Sequence, residues 1–170
     1  VNVLFLTNSK LGHMESQGIF TDLLRQFVSN GHSVCAVCAN ERRLGRKTEL
    51  TRESGINVLR VRTGNVTQVN MIEKGISILL IEHQFRAAVK DHFSDISFDL
   101  VLYSTPPITL AGVIEFIKDR DNARTYLMLK DIFPQNAVDM EVMRFNGLIH
   151  RYFRRIEKKF YQLSDFIGCM

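Results

Sequence analysis

Short apolar runs alternate with longer segments of helical spacing from one end of the chain to the other. Residues 1–6 form a run of strand length that stops at Thr7-Asn8-Ser9. Near-continuous apolar runs of this kind are what parallel strands buried on both faces require. Residues 16–29 follow, with Ile19, Leu23, Leu24, Phe27 and Val28 at the three- and four-residue intervals of one helix face, and Asn30-Gly31 supplies the stop. The same spacing rules predict strands over 33–39, 56–62, 99–104 and 125–129, and a last one beginning at Asp165. They predict helices over about 71–93, 108–118 and 148–163. Residues 40–49, between the second and third strands, read as a polar, mostly basic connection.

About six strands with interleaved helices predict an α/β chain: a Rossmann-like, doubly wound parallel sheet with helices on both faces and right-handed crossovers. No tandem repeat, low-complexity tract or linker interrupts residues 1–170, so they read as one domain of ordinary size. The chain opens in one apolar run and stops beside another, so we expect an excised piece of a longer protein.

Composition changes this picture little. The hydrophobic share of 45% and charged share of 24% are those of a common globular domain. The net charge of +4 acquires meaning only from its location. Cys35 and Cys38 form a C-x-x-C inside the apolar run 34–39, whereas a redox pair belongs on a loop entering a helix. They read as small buried residues, and a reducing compartment suits them. The apolar run 76–81 is far shorter than the ~20 residues of a membrane span. Neither G-x-G-x-x-G nor G-x-x-x-x-G-K-[ST] occurs, which disfavours a dinucleotide dehydrogenase or a P-loop NTPase. No metal is expected, because the histidines and cysteines lack paired ligand spacings.

In an open α/β sheet, ligands bind in the crevice outside the carboxyl ends of the strands. Three polar clusters should meet there: Asn8 and Ser9 with the loop 10–18, Thr105-Pro106-Pro107, and Lys130-Asp131 with Phe133-Pro134. Lys130 and Asp131 are candidates for chemistry, or else a surface ion pair at a strand end. The loop holds Gly12, His13 and Glu15; the last two carry proton-transferring groups, or are solvated. The helix start after it can attract an anion such as a phosphate. In the last helix, Ile149, Tyr152, Phe153, Ile156, Phe160 and Leu163 form an apolar stripe, with Arg151, Arg154, Arg155, Lys158 and Lys159 on the other side. Such a helix can pack on a core and still present its basic side to an anionic membrane. Aromatic–basic interleaving for stacking bases is missing, so nucleic acid is not an expected partner.

Three blocks carry a resemblance to a known family: residues 3–8 with the loop and helix up to His32, residues 98–107, and residues 127–138 with the helix through to Met170. The chain resembles the amino-terminal domain of bacterial family 4 glycosyltransferases of GT-B architecture, most of all those of capsular polysaccharide and O-antigen synthesis. The resemblance implies an acceptor-side half whose donor-binding, carboxyl-terminal domain lies outside this chain. It matches Gly12 to Gly18 with a glycine-rich turn beside the donor phosphates, with Gly12-His13-Met14-Glu15 replacing the common Gly-Gly pair. It matches Asp131 with an acidic residue facing the transferred sugar, and it places Lys130 where many relatives carry histidine. Thr105 and Pro106 would line the acceptor side of the cleft, and Pro134 counts with them among the substrate-binding residues.

The implied reaction moves a sugar from a nucleotide-diphosphate donor to a polyprenyl-diphosphate-linked oligosaccharide, with no metal required and no tightly bound cofactor. It would run at the cytoplasmic face of the bacterial plasma membrane, with Arg151, Arg154, Arg155 and Lys158 facing the anionic leaflet. The fragment alone is expected to be inactive. Two other readings stand beside this one: a stand-alone module that binds a phosphorylated small ligand without catalysis, and a domain that docks a partner through its basic helix.

Overall fold

In the computed structural model, the described residues are 1–105 and 108–169, without the side chains of Met71 and Ile72. In chain order they form β1 (Asn2–Leu6), α1 (Ile19–Ser29), β2 (Ser33–Glu41), β3 (Glu49–Glu53), β4 (Ile56–Thr63) and α2 (Met71–His92). There follow β5 (Leu100–Ser104), α3 (Ala111–Asp121), β6 (Arg124–Leu129), α4 (Gln135–Asp139), α5 (Leu148–Leu163) and β7 (Phe166–Cys169). One sheet contains all seven strands in the order β3-β4-β2-β1-β5-β6-β7. Every neighbouring pair is parallel except β3 with β4. The expected doubly wound α/β sheet is therefore present.

The seventh strand, β3, departs from the expectation of a basic connection followed directly by a strand. Its five residues alternate between half-buried and exposed, so no apolar run marks it. Ser54 and Gly55, both at positive φ, turn it back onto β4, and two-residue turns of that kind match the twist of a hairpin. β3 exists because β4 offers it an edge.

Side-chain alternation along the strands builds two cores. Val3 and Phe5 of β1 face α1 together with Val34, Ala36 and Cys38. Leu4 and Leu6 face the opposite way, into a larger core closed by α2, α3 and α5. Cys35 and Cys38 are buried as small apolar residues would be, and burial pushes the pKa of both thiols up. The register aligns Leu6 with both Val37 and Tyr103, and Tyr103 with Leu127. Strands β1, β2, β5 and β6 consequently release the chain along one rim. Because β1 connects toward β2 while β5 lies on its other side, the strand order reverses at β1/β5, the position where such sheets form their crevice.

The chain leaving β4 passes very close to α2. A Cβ on Gly64 would sit 2.3 Å from Ser77 Oγ and 3.2 Å from Ser77 Cα, so backbone as well as side chain would have to move. Gly64→Ala should destabilise the domain by about 1–3 kcal/mol, read as a lower urea midpoint at unchanged slope. An unchanged midpoint would mean that this approach is not tightly packed.

Candidate active site

At the rim, Thr105 determines where β6 lets go of the sheet. It follows β5 directly and is 1% exposed. Its Oγ1 accepts from the N–H of Lys130 at 3.1 Å and from the N–H of Asp131 at 3.4 Å. Thr105 is thus a positioning group inside the rim rather than a lining residue of a cleft. Pro106, expected beside it, lies outside the described residues.

Asp131 then turns toward α4, where Asn136 Nδ2 donates to its Oδ2 at 2.7 Å. Helix α4 starts at once because the buried Pro134, which follows a cis peptide bond, caps it with its carbonyl, accepting from Ala137 and Val138. Gln135 Nε2 is engaged by Asp139 Oδ1 at 2.7 Å. Lys130, Asp131, Ile132, Gln135 and Asn136 surround an open groove of about 390 Å³, with Leu129, Asp139 and Cys169 completing it. Sequence reasoning reached Lys130 and Asp131 but missed Asn136 and Gln135. Their signal was the abrupt helix start after Pro134.

Lys130 and Asp131 do not pair with one another. Successive residues at a strand end point to opposite faces, and Lys130 crosses to the α1 side. There its Nζ stands 3.7 Å from the centroid of the Phe20 ring, a cation–π contact. Burial lowers its pKa. Among the described residues no carboxylate lies within ion-pair distance of it, so the alternative of a surface ion pair fails.

The loop after β1 forms the adjoining part of the rim. Thr7 is buried, and its hydroxyl accepts from the N–H of Ser9 at 3.1 Å, which turns the chain past Asn8. Leu11 and Met14 are buried in the α1-side core and pin the loop from within. Glu53 of β3 pins it from outside: its Oε2 accepts from the Met14 N–H at 3.2 Å, and its Oε1 from Arg60 Nη1 at 2.7 Å. Arg60 also donates to the Gly12 carbonyl at 3.5 Å. The Arg60 hydrogen bond first, then Thr51 and the Met14 amide, outweigh burial and hold the Glu53 carboxyl at about 2. His13 is 90% exposed in its side chain, 3.9 Å from Glu53, and Glu15 is exposed. The structure brings Asn8, Ser9, Gly12, His13, Lys130 and Asp131 to one rim.

Of the stripe expected for α5, Phe153, Ile156, Phe160 and Leu163 pack against the core. Buried against the core are His150, Glu157 and Phe160, while Ile149 (64%) and Tyr152 are exposed. Glu157 can lie on the buried face because its carboxylate is satisfied within the helix, accepting from Arg154 and from the Tyr161 hydroxyl. Arg154 is therefore the counter-ion of a buried acid as well as a surface cation. Arg151, Arg155 and Lys158 remain exposed. Among the described residues, His, Cys, Asp and Glu nowhere gather in a group that could hold a metal.

A group whose folded pKa is depressed contributes stability above its unfolded value, and loses it as pH falls through the folded one. Glu53→Gln should lower stability near neutral pH by about 2 kcal/mol. It should also flatten the loss of stability between about pH 5 and pH 2. Urea unfolding at both ends of that window checks this; parallel wild-type and variant profiles would contradict it.

No protein-family model matches the chain, and no curated protein does. Solved structures do. The E. coli trehalose-6-phosphate protein bound with UDP-2-fluoro glucose superimposes with a TM-score of 0.62 at 10% identity, covering 99% of this chain and 39% of its own. The apo UGT2 of Phytolacca americana superimposes with a TM-score of 0.56 at 10% identity, covering 99% and 45%. The chain spans less than half the length of either protein. At such identity the likeness concerns the fold, and that fold is a Rossmann-like domain of the kind found in GT-B glycosyltransferases.

Proposed function

We propose that this chain is the amino-terminal, acceptor-side domain of a family 4 glycosyltransferase. The parent enzyme moves a sugar from a nucleotide-diphosphate sugar to a polyprenyl-diphosphate-linked oligosaccharide in bacterial surface polysaccharide synthesis. The observation that carries this reading is Asp131, held by Thr105 and Asn136 over an open groove at the sheet rim where α/β folds bind ligands. The similar fold of a protein that holds UDP-2-fluoro glucose supports it.

In this reading Asn136 occupies one oxygen of Asp131 and orients the carboxylate, which offers its remaining lone pairs to a sugar hydroxyl. The bond between the sugar carbon and the diphosphate oxygen breaks, and a bond to the acceptor hydroxyl oxygen forms with release of its proton. Charge grows on the leaving diphosphate, and fixed donors aimed at it lower the barrier. The β1–α1 loop, pinned by Glu53 and Arg60, supplies a rigid edge for that side of the cleft.

The α4–α5 connection suits a membrane surface. Val142, Phe145, Leu148 (86%) and Ile149 are exposed, and Arg144, Arg151, Arg155 and Lys158 stand among or after them. Exposed apolar side chains mixed with cations favour the headgroup region of an anionic leaflet.

In the full-length enzyme, Asp131→Asn should reduce turnover about 100-fold or more while leaving the unfolding midpoint in place. Turnover within a few-fold of wild type would remove Asp131 from the site. Replacing Arg155 and Lys158 together by Gln should weaken binding to phosphatidylglycerol vesicles about 10–30-fold at low salt. Arg154 is left alone because Glu157 would lose its partner. Vesicle binding that ignores both the double substitution and added salt would end the membrane proposal.

A further inference from the structure

Ile132 and Gln135 wall a second hollow as well as the Asp131 groove. It is about 550 Å³, and its far side is built from Phe145, Asn146 and the start of α5 with His150, Arg151 and Arg154. No acidic side chain lines it. The nearby carboxylates are engaged elsewhere: Asp131 by Asn136, Asp139 by Gln135, and Glu157 by Arg154 and Tyr161.

Two independent features of the hollow lack an acceptor. Helix α5 begins at Gly147 with no side-chain cap, so the amides of its first turn have no side-chain oxygen to donate to. His150, in that first turn, is 4% exposed, and neither ring nitrogen has a hydrogen-bond partner among the described residues. A buried imidazole in that state is unusual, since buried polar groups are nearly always partnered. The Phe145 ring, itself exposed, packs against it with the ring centroids 5.1 Å apart.

We propose that this hollow is a phosphate-class subsite that takes the diphosphate of the acceptor, with His150 and Arg151 as its ligands and Arg154 adding charge from its pair with Glu157. The inference rests on the reading of the Asp131 groove as the place of sugar transfer. The groove and the hollow share Ile132 and Gln135, and Phe145 on the far side of the hollow belongs to the exposed apolar group of Val142, Phe145, Leu148 and Ile149. A lipid-linked acceptor presents sugar, diphosphate and hydrocarbon in turn. Arg151 offers the planar fork that matches phosphate oxygens, and His150 a directional donor beside it.

The test is NMR of the histidine rings in the 170-residue chain, titrated separately with inorganic pyrophosphate and with phosphatidylglycerol vesicles. Pyrophosphate should move the His150 ring signals saturably. Arg151→Gln, at an exposed position, should weaken that response about ten-fold, whereas Lys158→Gln, also exposed, should leave it within about two-fold. Three results would overturn the subsite: no movement of His150 at millimolar pyrophosphate, an equal response in Arg151→Gln, or a response to vesicles alone, which would assign the hollow to lipid headgroups. The readout needs no turnover. Its failure strikes this site, while a failure of the Asp131→Asn experiment strikes the transferase reading and leaves this titration as it was.

Discussion

A single buried hydroxyl ties the rim of this sheet together. A chain leaving a strand carries amides that the ladder no longer satisfies, and at the end of β6 two such amides converge on Thr105 Oγ1 from the neighbouring strand. That clamp fixes the point at which the chain turns and the direction in which Asp131 departs. It also sets the distance to α4, whose Asn136 completes the orientation of the carboxylate. The groove and the hollow beyond it share walls that begin at this turn. A serine could supply the acceptor oxygen, but the β-branched side chain of threonine has fewer rotamers to lose.

Charge is used in two distinct ways. Glu53, half-buried, and Glu157, fully buried, are each held by an arginine and by neutral donors; Glu53 secures the β1–α1 loop, and Glu157 is satisfied within α5. Taking such charges out of water is expensive, and the hydrogen bonds around each one offset that cost. Lys159 of α5 reaches Glu115 of α3 at 2.7 Å, and Arg151, Arg155 and Lys158 stay exposed. The Glu53–Arg60 pair shapes the rim, and the exposed cations of α5 give one flank its sign.

Departures from the sequence-based expectation share a physical origin. β3 has no apolar run, because an edge strand with solvent on one side needs only alternate half-burial and a turn such as Ser54-Gly55. Helical periodicity places Phe153, Ile156, Phe160 and Leu163 of α5 on the core, but it counts apolar residues and so passes over His150 and Glu157, which are buried among them, Glu157 through Arg154 and Tyr161. Lys130 and Asp131 were identified as a pair from adjacency, yet strand geometry sends them to opposite sides. Asn136 escaped notice because its importance lies in a contact five residues back, across a short helix that only Pro134 announced.

Periodicity and run length by themselves determined the α/β class, the positions of β1, β2, β4, β5 and β6, the extent of α5, and the clustering of polar residues at the carboxyl ends of strands. These follow from local rules, since apolar alternation and helical spacing are written into neighbouring residues. Tertiary structure alone decided the strand order, the hairpin on β4, the clamp by Thr105, and the burial of His150 and Glu157 in α5. Each of those depends on groups far apart in the chain reaching one another, and no local pattern carries that information.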